Sequence, residues 1–142
     1  MSRLQLPNGD DHPDAAQKHL LDAGVLLAQQ RPDGAAYLSG YVVECALKSL
    51  HVLQTGQALR GHDFESLLRQ VSAVATAAGP KTARYLGRAT SGLLASAIGG
   101  WTPEMRYHAP SMALGDAQSW HACARNVFQE TVHQMRLDGV LG

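Results

Sequence analysis

Tyr37, Tyr41, Glu44, Lys48 and His51 follow one another at steps of four, three, four and three residues. That spacing stacks them along one face of a helix. The chemistry it suggests is an ion pair or an anion site. Glu44 and Lys48 are an i, i+4 pair in the favourable order, which accounts for only two of the five. The surrounding segment, "GYVVECALKSL", is otherwise apolar, and a buried carboxylate needs a cationic partner. Arg106, in the loop "WTPEMRYH", is the expected partner. Either Glu44 receives Arg106 and pins that loop to the helix, or Lys48 and Arg106 frame an anion pocket. In the second case Tyr41 and His62 stand at its rim and Tyr107 beside it. The ion pair ranks ahead of the pocket.

Other chemistries find no support. The seven histidines show no HxxxH or HExxH spacing, so no metal is expected. Gly99-Gly100 follows a helical pattern and leads into Trp101, the wrong setting for a phosphate loop. No GxSxG, CxxC or paired catalytic carboxylates occur, and no cofactor is implied. His62-Asp63 reads first as a helix cap. Trp101 and Trp120 read as core or dimer contacts before base-stacking platforms. Cys45 and Cys123, the only cysteines, fall among apolar neighbours and are expected as free buried thiols, with an interhelix disulfide as the alternative.

The elements that must position these residues are helical. The chain has 142 residues, 45% hydrophobic and 17% charged, with aromatics at only 6%. That is enough for one domain with a core, and an alanine- and leucine-rich composition favours helix. Twelve basic and twelve acidic side chains cancel, but residues 45–106 hold seven basic against three acidic. Such a middle segment suits a phosphate or an acidic partner, though a solvated surface explains it as well. Residues 1–10 read as a flexible arm and residues 11–142 as one domain. A first helix begins at Asp11 or His12, with Pro13 in its first turn, and ends near Gln30. A second runs from Gly34, capped by Asp33, to Thr55, closed by Gly56. Gly40 in its middle suggests a close neighbouring backbone. A third starts after Asp63 and ends at Gly79-Pro80, a fourth covers 81–98, and a last one runs from Ser111 or Leu114 to Leu137. These make an all-α, antiparallel up-and-down bundle of four to five helices, with the second, third and last supplying most of the core. The N-terminal stretch lacks a signal peptide's apolar core, and no run is long enough to span a membrane. A cytoplasmic location is expected.

In order, "GYVVECALKSL", "HDFESLL" and "WTPEMRYH" resemble the HEPN domains (higher eukaryotes and prokaryotes nucleotide-binding). The residues that carry the resemblance are Gly40, Tyr41, Glu44, Leu47, Lys48, His62, Asp63, Trp101, Arg106 and Tyr107. It spans roughly residues 15 to 136. It implies a bundle that commonly forms a homodimer. It also implies one of two roles: metal-independent ribonuclease, or a nucleotide- or RNA-binding accessory protein that partners a nucleotidyltransferase or serves a toxin–antitoxin-type module. A purely structural interaction protein is a third reading.

The ribonuclease branch carries an arginine, often followed by a polar residue, then four to six residues, then a histidine on the last helix. Arg125 and His133 stand in that helix, with seven residues between them. On a straight helix seven steps return to nearly the same face, whereas eight land about 80° away. The pair is therefore expected to diverge, as two unrelated polar residues on an exposed side. Were they to converge, His133 would serve as general acid or base at the 2′-hydroxyl and Arg125 would stabilise charge on the phosphate. The spacing favours the accessory role.

Overall fold

The computed structural model describes residues 1–77 and 80–142, the Pro80 side chain excepted. The Gly79-Pro80 stop expected for the third helix lies outside them. Four long helices form the frame: α1 (His12–Ala28), α2 (Pro32–Thr55), α3 (Phe64–Ala77) and a last helix over residues 114–137. The fold is all-α and antiparallel. Contacts of residues 20 and 24 with 121, and of 14 and 17 with 136, run α1 and the last helix in opposite directions.

The core lies around α2. Val42, Val43, Leu47 and Leu50 are fully buried there, against Leu67 and Val71 of α3 and Val127, Val132 and Met135 of the last helix. Ala16 and Ala23, with no side chain beyond Cβ, bring α1 close to α2. The first helix is thus a main layer, alongside the three expected to dominate.

Local chemistry sets the helix ends. The Asp11 carboxylate accepts from the Asp14 N–H at 3.2 Å, and Asp63 accepts from the Ser66 N–H at 2.9 Å, so both act as N-caps. Gly56 closes α2 in the left-handed region, φ 72°. Asp33 does not cap α2, which begins at Pro32. Its carboxylate instead accepts the Ser111 and Met112 N–H groups at 3.0 and 3.1 Å and holds the loop before the last helix.

Two expectations change. Residues 81–98 do not form one helix. They break into α4 (Pro80–Ala83), α5 (Arg88–Ser91) and two 3₁₀ turns, Leu93–Ala95 and Ala97–Gly100, because glycines at 87 and 92 interrupt propagation. The first ten residues are not a loose arm either. Ser2 donates its N–H and hydroxyl to Asp11 at 2.6 and 2.7 Å, and the Arg3 N–H reaches the Leu141 carbonyl at 3.0 Å.

The last helix, α6, is not uniform. Leu114–Phe128 is α-helical, Gln129–His133 is a π-helical turn, and Gln134–Leu137 is α-helical again. A π turn holds one residue more than the α turn it replaces.

Candidate functional site: the row on α2 and the ridge on α6

The row on α2 is real, and the fold consumes most of it. Gly40 lets the Trp101 indole lie flat on the helix: a Cβ there would come within 1.9 Å of the ring. The close neighbour is therefore a side chain, not a backbone. Trp101 stacks on Phe64 at 5.2 Å and donates its indole N–H to the Tyr37 carbonyl at 3.0 Å. Tyr41 meets Trp101 edge-on at 5.0 Å and shares a hydroxyl hydrogen bond with Tyr37 at 3.2 Å. Burial pushes the Tyr41 phenol up to about 12, with the Tyr37 hydrogen bond as the next cause.

Glu44 is buried, with two partners. One oxygen takes His62 Nδ1 at 2.5 Å and the other takes Lys48 Nζ at 3.4 Å. Arg106, the partner expected from sequence, is not on it. Arg106 sits in a 3₁₀ turn, Pro103–Tyr107, beside the tyrosines. Its guanidinium lies over the Tyr107 ring at 4.8 Å, and Tyr107 and then Tyr37 push its pKa further up. Lys48 is spent on Glu44, and Arg106 and Tyr107 stand exposed on the outside. The structure thus gathers Tyr41, Glu44, Lys48 and His62, leaves Arg106 and Tyr107 at the aromatic rim, and ties His51 to the Gln57 carbonyl at 2.9 Å. A His–Glu–Lys latch holds the start of α3 to α2. A second polar residue in the capping segment, His62 itself, was the sequence signal for the partner.

The ridge on α6 has the opposite character. Arg125, Gln129 and His133 are all exposed, and among the described residues no ion pair or hydrogen bond engages the side chain of Arg125 or His133. The π turn sets their register. Eight α steps of about 100° leave a residue about 80° off, but five steps at the π value of about 82° remove about 90°. His133 therefore returns to the face of Arg125, and the divergence expected from a straight helix does not occur. Burial gives the same register independently. Val127, Thr131 and Met135 are buried, and so are Ala124, Phe128 and Val132, two rows kept inside over steps of four.

Beside the ridge, Glu130 points to α5. Its carboxylate accepts the Ala89 N–H at 2.8 Å, the Thr90 N–H at 2.9 Å and the Thr90 hydroxyl at 3.0 Å. An open cleft of about 560 Å³ lies there, lined by Arg88, Ala89, Asn126, Gln129, Glu130 and Gln134. A larger cleft, about 860 Å³, lies between Leu4, Leu53, Tyr85 and Val140. Its Arg84 is paired with Asp138 at 3.1 Å.

Among the described residues no group of His, Cys, Asp and Glu could hold a metal ion, and no helix is long and apolar enough to cross a membrane. Cys45 and Cys123 are both free; Cys45 is buried, Cys123 only partly. Burial pushes the Cys45 thiol up to about 12.

The HEPN domain model matches residues 11–135, from the first helix through the π turn. Neither a curated protein nor a solved structure matches the chain. With its all-α bundle and a match over most of its length, the chain belongs to the HEPN domain family, and that membership supports a nucleotide- or RNA-related role.

Proposed function

We propose that the chain binds RNA along the exposed ridge of α6 and cleaves it without a metal, with Arg125 and His133 acting on one phosphodiester. The observation that carries this reading is the π turn, which turns two residues of mismatched spacing onto one face. π turns occur frequently at functional sites. His133 takes the proton of a ribose 2′-hydroxyl, and the 2′-oxygen attacks the adjacent phosphorus. The 5′-oxygen leaves and takes up a proton, giving a 2′,3′-cyclic phosphate and a 5′-hydroxyl. Arg125 offsets the charge that gathers on the phosphoryl oxygens. The leaving group needs an acid as well as a base, and one chain puts one histidine on the ridge. A homodimer that brings two ridges together supplies the second.

That same count favours a rival reading, in which a single ridge binds nucleotide or RNA without cutting it. The chain is then an accessory partner of a nucleotidyltransferase or of a toxin–antitoxin-type module. The α2 row supports neither reading directly, since Lys48 is already paired.

The test is cleavage of a labelled single-stranded RNA in a metal chelator, comparing wild type with Arg125→Ala and His133→Ala. Cleavage by the wild type alone, leaving cyclic phosphate ends, is expected, with each variant down by at least about a hundred-fold. No cleavage, or cleavage that both variants retain, overturns the ribonuclease reading in favour of the accessory one.

A further inference from the structure

The segment between α4 and α6 is fastened to α6 by a lock with no role in the core. Glu130 spends its carboxylate on three donors of Ala89 and Thr90. Gly87 makes the approach feasible, because a Cβ there would lie 2.4 Å from the Glu130 carboxyl carbon. Those three hydrogen bonds hold that carboxylate, so it cannot swing aside for a larger residue. The residue enclosed by the lock is Arg88. Its neighbours on both sides are fixed, yet its own side chain is exposed, and no acid pairs with it among the described residues. It opens onto the cleft of about 560 Å³. Asn126, Gln129 and Gln134 line the same cleft, and Gln129 also belongs to the ridge between Arg125 and His133.

The chemistry of the lining is specific. A free guanidinium presents a planar fork of donors that matches phosphate oxygens two at a time. Carboxamides carry both donors and acceptors, as base edges and ribose hydroxyls do. The one acid in the cleft has its charge offset by the donors it holds. The volume, about 560 Å³, lies within the range of small-ligand sites.

We infer that this cleft is a nucleotide subsite flanking the ridge. Arg88 binds the phosphate next to the one held by Arg125, and Asn126, Gln129 and Gln134 hydrogen-bond the base and ribose of that nucleotide. The inference rests on the reading of the ridge as an RNA-binding surface, and it adds a residue, a ligand subsite and a path across α6 that the arginine–histidine pair does not contain.

The experiment is equilibrium binding of a labelled, fully 2′-O-methylated single-stranded RNA, which lacks the nucleophile for cleavage. Wild type is compared with Arg88→Ala, Arg88→Lys and Arg125→Ala across a salt series. The expected result is a roughly ten-fold weaker Kd for Arg88→Ala at low salt and a salt slope smaller by about 0.7, the loss of one single-strand phosphate contact. Arg88→Lys regains the slope but not the full affinity, because an ammonium cannot bind two oxygens in a fork. Binding unchanged within two-fold in Arg88→Ala but weakened in Arg125→Ala overturns the subsite and leaves the ridge standing. Absence of saturable binding by the wild type overturns both. Among the described residues the Arg88 side chain has no ion pair or hydrogen bond to lose, so Arg88→Ala melts where the wild type does. A melting temperature that falls together with binding assigns the residue to the fold and overturns the subsite.

Discussion

Replacing Glu44 with glutamine keeps the shape of the side chain and removes its charge from the place where Lys48 and His62 meet. The Glu44 side chain is 6% exposed and that of Lys48 is 11% exposed. After the change Lys48 keeps its charge in an environment nearly closed to water. Removing one partner of a buried pair costs about 3–5 kcal/mol. The Lys48 contact is long, at 3.4 Å, which places Glu44→Gln near the lower end, about 3 kcal/mol. His62 makes the shorter contact, but its side chain is 51% exposed, so solvent screens it. His62→Ala is worth about 1 kcal/mol, because Glu44 still keeps Lys48. For a chain of this size each kcal/mol moves Tm by about 3–4 °C, so the two variants fall by about 10 °C and about 3 °C. Urea unfolding at neutral pH, followed by helical circular dichroism, measures both. Glu44→Leu combined with Lys48→Met removes both buried charges at once and is expected to recover most of the loss. A Glu44→Gln variant within about 1 kcal/mol of wild type, or a His62→Ala variant as damaged as Glu44→Gln, refutes the latch as described.

Gly40→Ala places a Cβ inside the Trp101 ring, so the indole must leave its stack on Phe64 and give up its hydrogen bond to Tyr37. Overpacking and the lost bond together cost about 3 kcal/mol, which thermal unfolding reads directly; an unchanged Tm contradicts the packing. The second expectation concerns pH. His19 Nδ1 and His121 Nε2 are buried without hydrogen-bond partners. Burial first, then Lys18, holds His19 below the ordinary 6.5 against Asp22 and Glu44; burial likewise holds His121 below it, opposed next by the Leu20 backbone and aided by Arg125. A depressed histidine pKa means that the unfolded chain takes the proton first. These two groups therefore cost nothing above about pH 6.5, and stability falls as pH drops below it. The urea midpoint at about pH 5.5 is expected below that at pH 7.5, and the His19→Gln/His121→Gln variant is expected to show a smaller drop.

The α2 row was legible because helix periodicity is a local property. Steps of three and four fix a face wherever the helix sits, and an acid on an apolar face demands a partner. The partner's identity was not legible, because Arg106 and His62 lie on different connections and only the packed fold decides which reaches Glu44. Residues 81–98 misled for a related reason. Their alanines and leucines favour helix, but glycines at 87 and 92 and the pull of Glu130 on residues 89 and 90 favour short turns. Asp33 has the composition of a cap, yet the loop before α6 offered it two N–H groups instead. The π turn did leave a trace. Val127, Thr131 and Met135, beside Ala124, Phe128 and Val132, keep strict steps of four, and a straight α-helix would drift by about 40° at each.

The π turn and the Glu130 lock are one construction. In a straight α6, His133 would rotate towards α5, into the space where Glu130 meets Ala89 and Thr90, and Val132 would rotate out towards the ridge. Val132 is fully buried, and His133 is exposed beside Gln129. The extra residue thus lets one helix do two things that straight geometry separates: hold Arg88 through Glu130 on one stripe, and carry Arg125 and His133 on the next. Within the bundle Glu44 pairs with Lys48, Arg84 with Asp138 and Arg136 with Asp14. Among the described residues Arg88, Arg125 and His133 stay unpaired around the π turn. On the proposed reading, a bound phosphate chain is the partner of all three.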